Sequence, residues 1–370
     1  MSSFNIGIDT GGTYTDAVVI DTQQRKVLAS AKALTTRGDL SIGVLESLQR
    51  VLDVSRAQVD PQQIGLVSLS TTLATNALVE GKGSAIAVIL LGFDDTMLDR
   101  SELKTALPAA KVVRIAGGHK YDGSELTALD EITLLTELAT ITGTVDAYAV
   151  AGVYSVRNSS HERRVQALIQ AKTGCPVTAS CDLSEALNGP RRALTAAFNA
   201  RIIAMIVALI NAVQTAMQAQ GIHAPLMIVK GDGSLASAQA VMEKPIETIL
   251  SGPAASVIGA NFISGLTDFI ISDIGGTTTD VAIVRNGWPA LNEKGAMVGM
   301  HRTMVKAIDM RTIGLGGDSE VAVDPQGTVS LQPNRVVPVA LNGARWPSVQ
   351  KALESALAHG MGLGLATLLL

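Results

Sequence analysis

The sequence predicts an α/β fold. Short apolar runs of strand length alternate along the chain with segments of helical period, the pattern that lays helices over a sheet. One unusual decapeptide occurs twice, as GIDTGGTYTD at 7–16 and ISDIGGTTTD at 271–280, each behind an apolar strand-like run, which points to two related halves. The 370 residues are 47% hydrophobic and 17% charged, enough to bury a large core and to predict two domains.

The elements follow in order. Ile6 and Ile8 alternate with Gly7 and Asp9, and 17–20 resume an apolar run behind the glycines, which reads as strand, tight turn, strand. Residues 41–52 read as a helix. The strand at 64–69 feeds STTLATNALVEGKG, which enters a helix at about Thr72. Buried strands are expected at 84–91 and 147–153. A charged amphipathic helix at 161–173 ends at Gly174 and precedes a strand before Cys181. A long helix at 190–220 opens with Pro190 in its first turn and stops at Gly221. Then come a strand at 226–230, a glycine turn GDGS, a helix, and the segment LSGPAASVIGAN running into the second decapeptide. The hinge is placed near 180–189, dividing the chain into domains 1–180 and 181–370.

Composition narrows the function. Net charge is -4 and aromatics are 3%, with no basic cluster interleaved among them, which argues against nucleic acid as a partner. Cys175 and Cys181 lack the spacing of a zinc or redox pair and read as buried thiols in a reducing compartment. No charged-then-apolar leader fits ahead of Asp9. The longest apolar stretches, 202–210 and 363–370, fall short of a bilayer span. A cytoplasmic protein without a membrane partner is the expectation.

The decapeptides carry the chemistry. Gly11 and Gly12 permit unusual backbone angles, and with no side chains there the turn amides can point at an oxyanion. Thr13 and Thr15 add hydroxyl donors. Asp9 would repel a phosphate directly, so its place at the strand end makes sense with a hydrated magnesium ion between the two anions. The same reading gives Asp273 to the metal and Gly275, Gly276, Thr277 and Thr278 to the phosphates. Asp16 and Asp280 stay open between a ligand role and a turn Asp that caps its own backbone. Neither a Walker loop nor a dinucleotide fingerprint occurs. The bland alternative for one copy alone is a glycine-rich hairpin turn; two copies argue against it.

Six blocks, DTGGTYTD, STTLATNALVE, GGHKYDGSELTALDE, LSGPAASVIGA, DIGGTTTD and TIGLGGDS, resemble in order and spacing those of the hydantoinase A/5-oxoprolinase family, from the start to about residue 330. The resemblance implies the superfamily of acetate and sugar kinases, heat-shock chaperones and actin, whose two ribonuclease-H-like domains clamp ATP and magnesium in a cleft. It gives 9–13 to the first phosphate motif, 273–278 to the second, and 253–260 to the helix connecting the domains. Gly314, Gly316 and Gly317, within 312–319, resemble the glycine turn beside the nucleotide. Two departures stand out. Only about fifty residues follow Ser319, and VVPVALNGARWPSV stands where a cysteine-containing Pro-Gly-Pro-Ala block is usual. Either the tail GMGLGLA at 360–366 holds the adenine, or the nucleotide half is incomplete. Gly231-Asp232-Gly233 replaces the family's glycine pair, with Asp232 either a functional replacement or a turn residue.

The resemblance implies ATP-dependent opening of a cyclic amide of the hydantoin or 5-oxoproline type, in which phosphorylation of the carbonyl oxygen precedes attack by water. Such transfer needs positioning and charge neutralisation more than covalent catalysis; Asp9 or Asp273 would orient magnesium or water. Ser70, Thr71, Thr72, Thr75 and Asn76 lie at a strand-to-helix junction suited either to substrate or to capping. His119, followed by Asp122, is a substrate-side candidate against a structural role, and Arg191 and Arg192 are phosphate-side candidates against a solvated helix start. A small cyclic amide, a second hydantoinase-type subunit and a homo- or hetero-oligomer are the implied partners. A small-molecule kinase and a nucleotide-binding activating subunit are the alternatives.

Overall fold

The computed structural model describes residues 4–11, 14–36, 40–276, 278–337, 342–343 and 345–358. β1 (Phe4–Thr10), β2 (Tyr14–Asp21) and β3 (Lys26–Leu34) run antiparallel. Ile6, Ile8, Ala17 and Val19 are buried on one face, the period of two that a half-covered sheet requires. α1 (Leu40–Ser55) packs there through Val44, Leu48 and Val51, and β4 (Ile64–Thr71) pairs parallel to β1.

After α2 (Leu73–Val79) the chain builds a second layer. It comprises β5 (Ile86–Leu91), the short helices α3 (Asp95–Arg100) and α4 (Leu103–Ala106), β6 (Lys111–Ile115), α5 (Glu131–Ile141), β7 (Ala147–Gly152), α6 (Ser160–Thr173) and β8 (Val177–Ala179). Its strands form a parallel sheet in the order β6-β5-β7-β8. β5 and β7 are buried throughout, as continuous apolar runs covered on both faces should be.

The 31-residue α7 (Gly189–Ala219) runs through the core. The Asn188 side chain accepts the Arg191 amide, Pro190 sits in the first turn, and Gly221, at φ +70°, follows the far end, the Pro-first, Gly-last asymmetry of a helix. By length and composition α7 could cross a bilayer, contrary to the reading of its 202–210 run. Yet 67% of its most apolar window is buried inside the protein, which fits a core helix; Arg201 and Asn211 at the ends of that run concealed its length.

β9 (Leu226–Val229) pairs parallel with β4, and β10 (Leu235–Ser237) folds back on β9, completing a six-stranded sheet in the order β10-β9-β4-β1-β2-β3. An antiparallel meander flanked by parallel strands on the far side of β1 is the ribonuclease-H-like topology. α8 (Ala238–Glu243) and α9 (Ser251–Ser264) follow, then β11 (Phe269–Ile274), β12 (Thr279–Arg285), and the two-residue strands β13 (Trp288–Pro289), β14 (Met297–Val298) and β15 (His301–Arg302). The last described elements are β16 (Met310–Ile313), β17 (Ser319–Val323), β18 (Val329–Arg335) and α10 (Pro347–Ala358).

Contacts divide the chain into two compact units, Met1–Phe269 with Val284–Asp309, and Ile270–Ile283 with Met310–Leu370. The first holds both large sheets. In the second, β16 pairs antiparallel with β12, and β17 with β18. Residues 181–269, assigned by sequence to the second half, pack within the first unit, because α7 lies against β5, β7 and β8. Its buried Arg192 donates to the Gly152 carbonyl and to the Ser155 and Ser180 hydroxyls, each at 3.1–3.3 Å.

Gly231, in the β9–β10 turn, is required by close approach: a Cβ there would lie 2.0 Å from the Ile249 carbonyl oxygen, whereas one on Gly259 in α9 would meet nothing within 4 Å. Gly231→Ala is therefore expected to destabilise the protein by about 1–3 kcal/mol, and Gly259→Ala to stabilise it by up to about 1 kcal/mol. Denaturant midpoints for the two variants check this; equal midpoints would contradict the packing described.

Candidate functional site

The first decapeptide sits where β1 passes into β2. Parallel register sets Asp9 opposite Ser70 of β4, and antiparallel register sets it opposite Asp16. Ser70 Oγ donates to Asp9 Oδ1 at 2.6 Å, a short charge-assisted bond that fixes a half-exposed carboxylate at the strand end. The amide of Gly11 donates to the Tyr14 carbonyl at 3.0 Å and closes the hairpin. Gly12 and Thr13 lie outside the described residues.

The start of α9 closes on the same spot. Ser251 Oγ donates to the Thr71 carbonyl at 2.9 Å and accepts the Thr71 amide at 3.1 Å, tying α9 to the end of β4. A Cβ on Gly252 would stand 3.4 Å from Thr72 Cγ2 and 3.7 Å from Asp9 Oδ1. The missing side chain thus leaves room beside the carboxylate, next to a helix N-terminus whose partial positive charge suits an anion. Thr72 donates its amide to the Thr10 carbonyl at 3.1 Å, and Asn76 Nδ2 donates to Thr72 Oγ1 at 3.2 Å. Thr75 Oγ1 accepts the Leu250 amide at 3.3 Å.

The second decapeptide repeats the local geometry within the second unit. Gly275 donates to the Thr278 carbonyl at 2.9 Å, the counterpart of Gly11 and Tyr14, and Asp273 is exposed on β11. The turn is joined to the 314–319 glycine segment: Gly317 donates to the Gly275 carbonyl at 3.0 Å, Asp318 to the Gly276 carbonyl at 2.8 Å, and Thr279 Oγ1 to the Leu315 carbonyl at 2.6 Å. Gly275, Gly276, Gly316 and Gly317 are thereby brought together, with Gly314 exposed on the approach. Thr278 is half-buried; Thr277 lies outside the described residues.

Several expected roles change. Gly11 and Gly275 direct their amides into hairpin closure instead of toward a ligand, and neither has a left-handed φ. Thr15 is fully buried; its hydroxyl meets Thr35 Oγ1 at 3.1 Å, and Thr35 in turn donates to the Gly11 carbonyl. It braces the hairpin from inside. Asp16 and Asp280 each reach the neighbouring strand, Asp16 to Lys32 at 3.2 Å and Asp280 to the Thr312 hydroxyl at 2.6 Å. Thr71 is buried, with its hydroxyl accepting the Leu73 amide.

Asp232 is a turn residue, its Oδ1 accepting both the amide and the hydroxyl of Ser234. Burial opposes its ionisation, but those bonds and Lys230 outweigh it and hold the carboxyl below the usual range. Arg191 reaches the Lys294 carbonyl at 3.4 Å. Cys181 is half-buried beside Glu162, and burial pushes its thiol up to about 12. Among the described residues no three His, Cys, Asp or Glu side chains are grouped to hold a metal. A magnesium ion at Asp9 would therefore take most of its oxygen ligands from phosphate and water, its ordinary habit.

His119 sits apart from the Asp9 cluster in its own contacts. It is 1% exposed, its Nε2 meets Ser160 Oγ at 3.1 Å, and its ring centroid lies 4.4 Å from that of His161, with the planes tilted by 42°. The Gly118 amide donates to His161 Nδ1 at 3.0 Å, which puts the proton of neutral His161 on Nε2, facing Glu125. Burial, then the neighbouring His161, hold His119 below the ordinary imidazole range, against Glu125 and Glu162. The sequence reading missed Ser251, Gly252 and Glu162. Gly252 was legible only inside the repeated-block resemblance, and a buried glutamate in a charged helix leaves no periodic trace.

Comparisons with known proteins show the family and the fold. A family model described as the hydantoinase/oxoprolinase N-terminal region matches residues 5–173, and one described as hydantoinase/oxoprolinase matches 192–337. The chain is 28% identical to caprolactamase subunit alpha of Pseudomonas jessenii, covering 89% of this chain and 50% of that protein. It is 27% identical to the acetophenone carboxylase gamma subunit of Aromatoleum aromaticum, covering 88% and 48%. The crystal structure of the ATP-dependent caprolactamase from Pseudomonas jessenii superposes with a TM-score of 0.72 at 25% identity, over 90% of this chain and 51% of that one. The nucleotide-free acetone carboxylase structure gives 0.71 at 23%, over 90% and 51%, a likeness of fold. The shared architecture is the actin-like ATPase type, and the chain spans about half the length of the curated relatives it matches.

The depressed value of His119 has a consequence for acid stability. The folded value lies below the unfolded value of about 6.5, so the contribution is complete above that pH. It is lost as pH falls, because the unfolded chain takes up a proton that the fold refuses. Denaturant stability should decline from about pH 7 to about pH 5, and His119→Gln should flatten part of that decline. A superimposable pH profile would show that the ring is not held neutral.

Proposed function

Because the chain belongs to the hydantoinase/oxoprolinase family, we propose that it is the nucleotide-handling part of an ATP- and magnesium-dependent enzyme that opens a cyclic amide. The observation that carries this reading is Asp9 held at a strand end by Ser70, facing the side-chain-free Gly252 at the start of α9. A hairpin of the same closure, with Asp273 in the same place, lies in the second unit. Each such hairpin suits charge neutralisation and positioning, the needs of phosphoryl transfer.

In this reading ATP supplies the phosphoryl group that turns a resonance-stabilised amide oxygen into a leaving group, and magnesium offsets the charge of the phosphates. Asp9 and Asp273 orient the metal or its water. Gly12, Thr13, Gly276, Thr277, Thr278 and the 314–317 glycines line the phosphates. Thr72 and Asn76, half-buried and exposed at the start of α2, are the remaining substrate-side candidates, since Thr71 and His119 are buried. The division into 1–180 and 181–370 is retained as functional halves, each bearing one decapeptide. A second subunit is part of the proposal because the matched caprolactamase and carboxylase chains are named as subunits. A reducing, cytoplasmic setting is proposed from the two free cysteines.

The second reading is a carboxylase subunit, favoured by the similarity to the acetophenone carboxylase gamma chain. Activation of a ketone oxygen would use the same phosphate-handling residues, with a carbon nucleophile and bicarbonate in place of water.

The test is ATP hydrolysis with and without magnesium, in the presence of the partner subunit, on caprolactam, hydantoin and 5-oxoproline, and separately on a ketone with bicarbonate. Asp9→Asn is expected to lower lactam-stimulated turnover at least about a hundredfold, on the scale of losing one preorganised catalytic contact. Ser70→Ala, which removes one hydrogen bond to a charged group, should lower it about tenfold. Full turnover in Asp9→Asn removes that carboxylate from the reaction. Turnover stimulated only by the ketone replaces the first reading with the second.

A further inference from the structure

A cavity of about 300 Å³ lies beside the start of α7, lined in part by Met97, Arg100, Val153, Tyr154, Leu187 and Arg192. None of these residues belongs to either decapeptide. The volume falls at the small end of the range that holds small molecules.

Its deep wall is Arg192, 2% exposed. The guanidinium has five N–H groups. Nε donates to Ser180 Oγ, one Nη1 hydrogen to the Ala186 carbonyl, and the Nη2 pair to the Gly152 carbonyl and Ser155 Oγ. Nη1 makes no second hydrogen bond among the described residues. The nearby buried carboxylate, Glu162, is engaged on the protein side: it accepts the Gly152 amide at 2.6 Å, Ser180 Oγ at 2.7 Å and the Cys181 amide at 2.9 Å.

The rim carries a second guanidinium, Arg100, at the end of α3. Its acidic neighbours on that helix are already paired, Asp95 with Arg114 at 2.6 Å and Asp99 with Lys104 at 3.6 Å. Arg100 has no partner among the described residues. Its planar fork suits bidentate capture of a carboxylate. Met97, Val153 and Leu187 supply an apolar side to the same space.

We propose that this cavity is a binding site for a small organic carboxylate with a short aliphatic body. Its head would be held between Arg100 and the spare Nη1 hydrogen of Arg192, and its body against Met97, Val153 and Leu187. The cavity shares no residue with either decapeptide or with the 314–317 glycines, and the proposal does not depend on the proposed reaction.

The test uses the full chain, with hexanoate as probe and hexan-1-ol and hexylamine as controls, followed by calorimetry and by ligand-detected NMR. Saturable hexanoate binding is expected, at least about tenfold tighter than either control, the scale of one charge-assisted contact. Arg100→Gln, on the exposed rim, should weaken hexanoate about tenfold and leave hexan-1-ol unchanged. Gly189→Val introduces side-chain atoms where a Cβ already meets Met97 Cε at 3.3 Å, and should abolish binding of all three; thermal unfolding of both variants verifies their folding. Equal affinity for hexanoate and hexan-1-ol, no binding of hexanoate, or unchanged hexanoate affinity in folded Arg100→Gln would each overturn the proposal.

Discussion

The parallel pairing of β1 with β4 is the constraint on which the candidate site depends. That register sets Asp9 against Ser70 and Thr10 against Thr71, and a slip of one residue would turn every side chain of β1 to the opposite face. The pairing is held from both directions. Ile6 and Ile8 are locked into the core on one face, and the Ser251 hydroxyl bonds both backbone groups of Thr71 at the strand's end. Because that hydroxyl belongs to the first residue of α9, the same bonds deliver Gly252 to the carboxylate. Site geometry and sheet register are therefore one property of the chain.

The second sheet is fastened by a buried charge cluster. Glu162 of α6 takes donors from the end of β7 and from the turn after β8, while Arg192 of α7 returns donors to the same Gly152 and Ser180. Ser180 Oγ donates to Glu162 and accepts from Arg192, so the two charges are joined through one hydroxyl. Burial lowers the affinity of Arg192 for its proton, and Glu162 works against that shift. Removing one member would strand the other charge in the core, the costly way to break such a pair. This is why the interval around residue 180, polar enough to read as a hinge, is anchored on both sides.

Much of the fold was legible because its signals were periodic. The buried runs of β5 and β7, the Pro-first and Gly-last signals of α7, and the Gly174 stop of α6 each declare an element with local chemistry. β3 was passed over because Lys26–Leu34 mixes alanine, lysine and serine and shows only a weak alternation. At the site, the repeated aspartates and glycines were visible as residue types. Their partners were not, since Ser251 and Glu162 matter through contacts 180 and 18 residues away. Thr15 misled for a related reason: a threonine after a glycine pair looks like a donor to a ligand, and only the third strand shows that its hydroxyl faces Thr35.

The two decapeptides then differ in what supports them. In both, the first glycine gives its amide to the residue three positions on, and neither glycine has a left-handed backbone. In the first copy a Cβ at Gly11 would stand 3.1 Å from the Tyr14 carbonyl. The hairpins thus consume donors that an anion would otherwise receive. In the proposed function, donors for a phosphate come from the residues that follow the first glycine and from structure brought in alongside. For the first copy that structure is the start of α9, with its dipole and the bare Gly252; for the second it is the 314–319 segment, bonded through Gly317 and Asp318. A glycine hairpin without such a neighbour would be only a turn, and the proposed function rests on that neighbour being present at both copies.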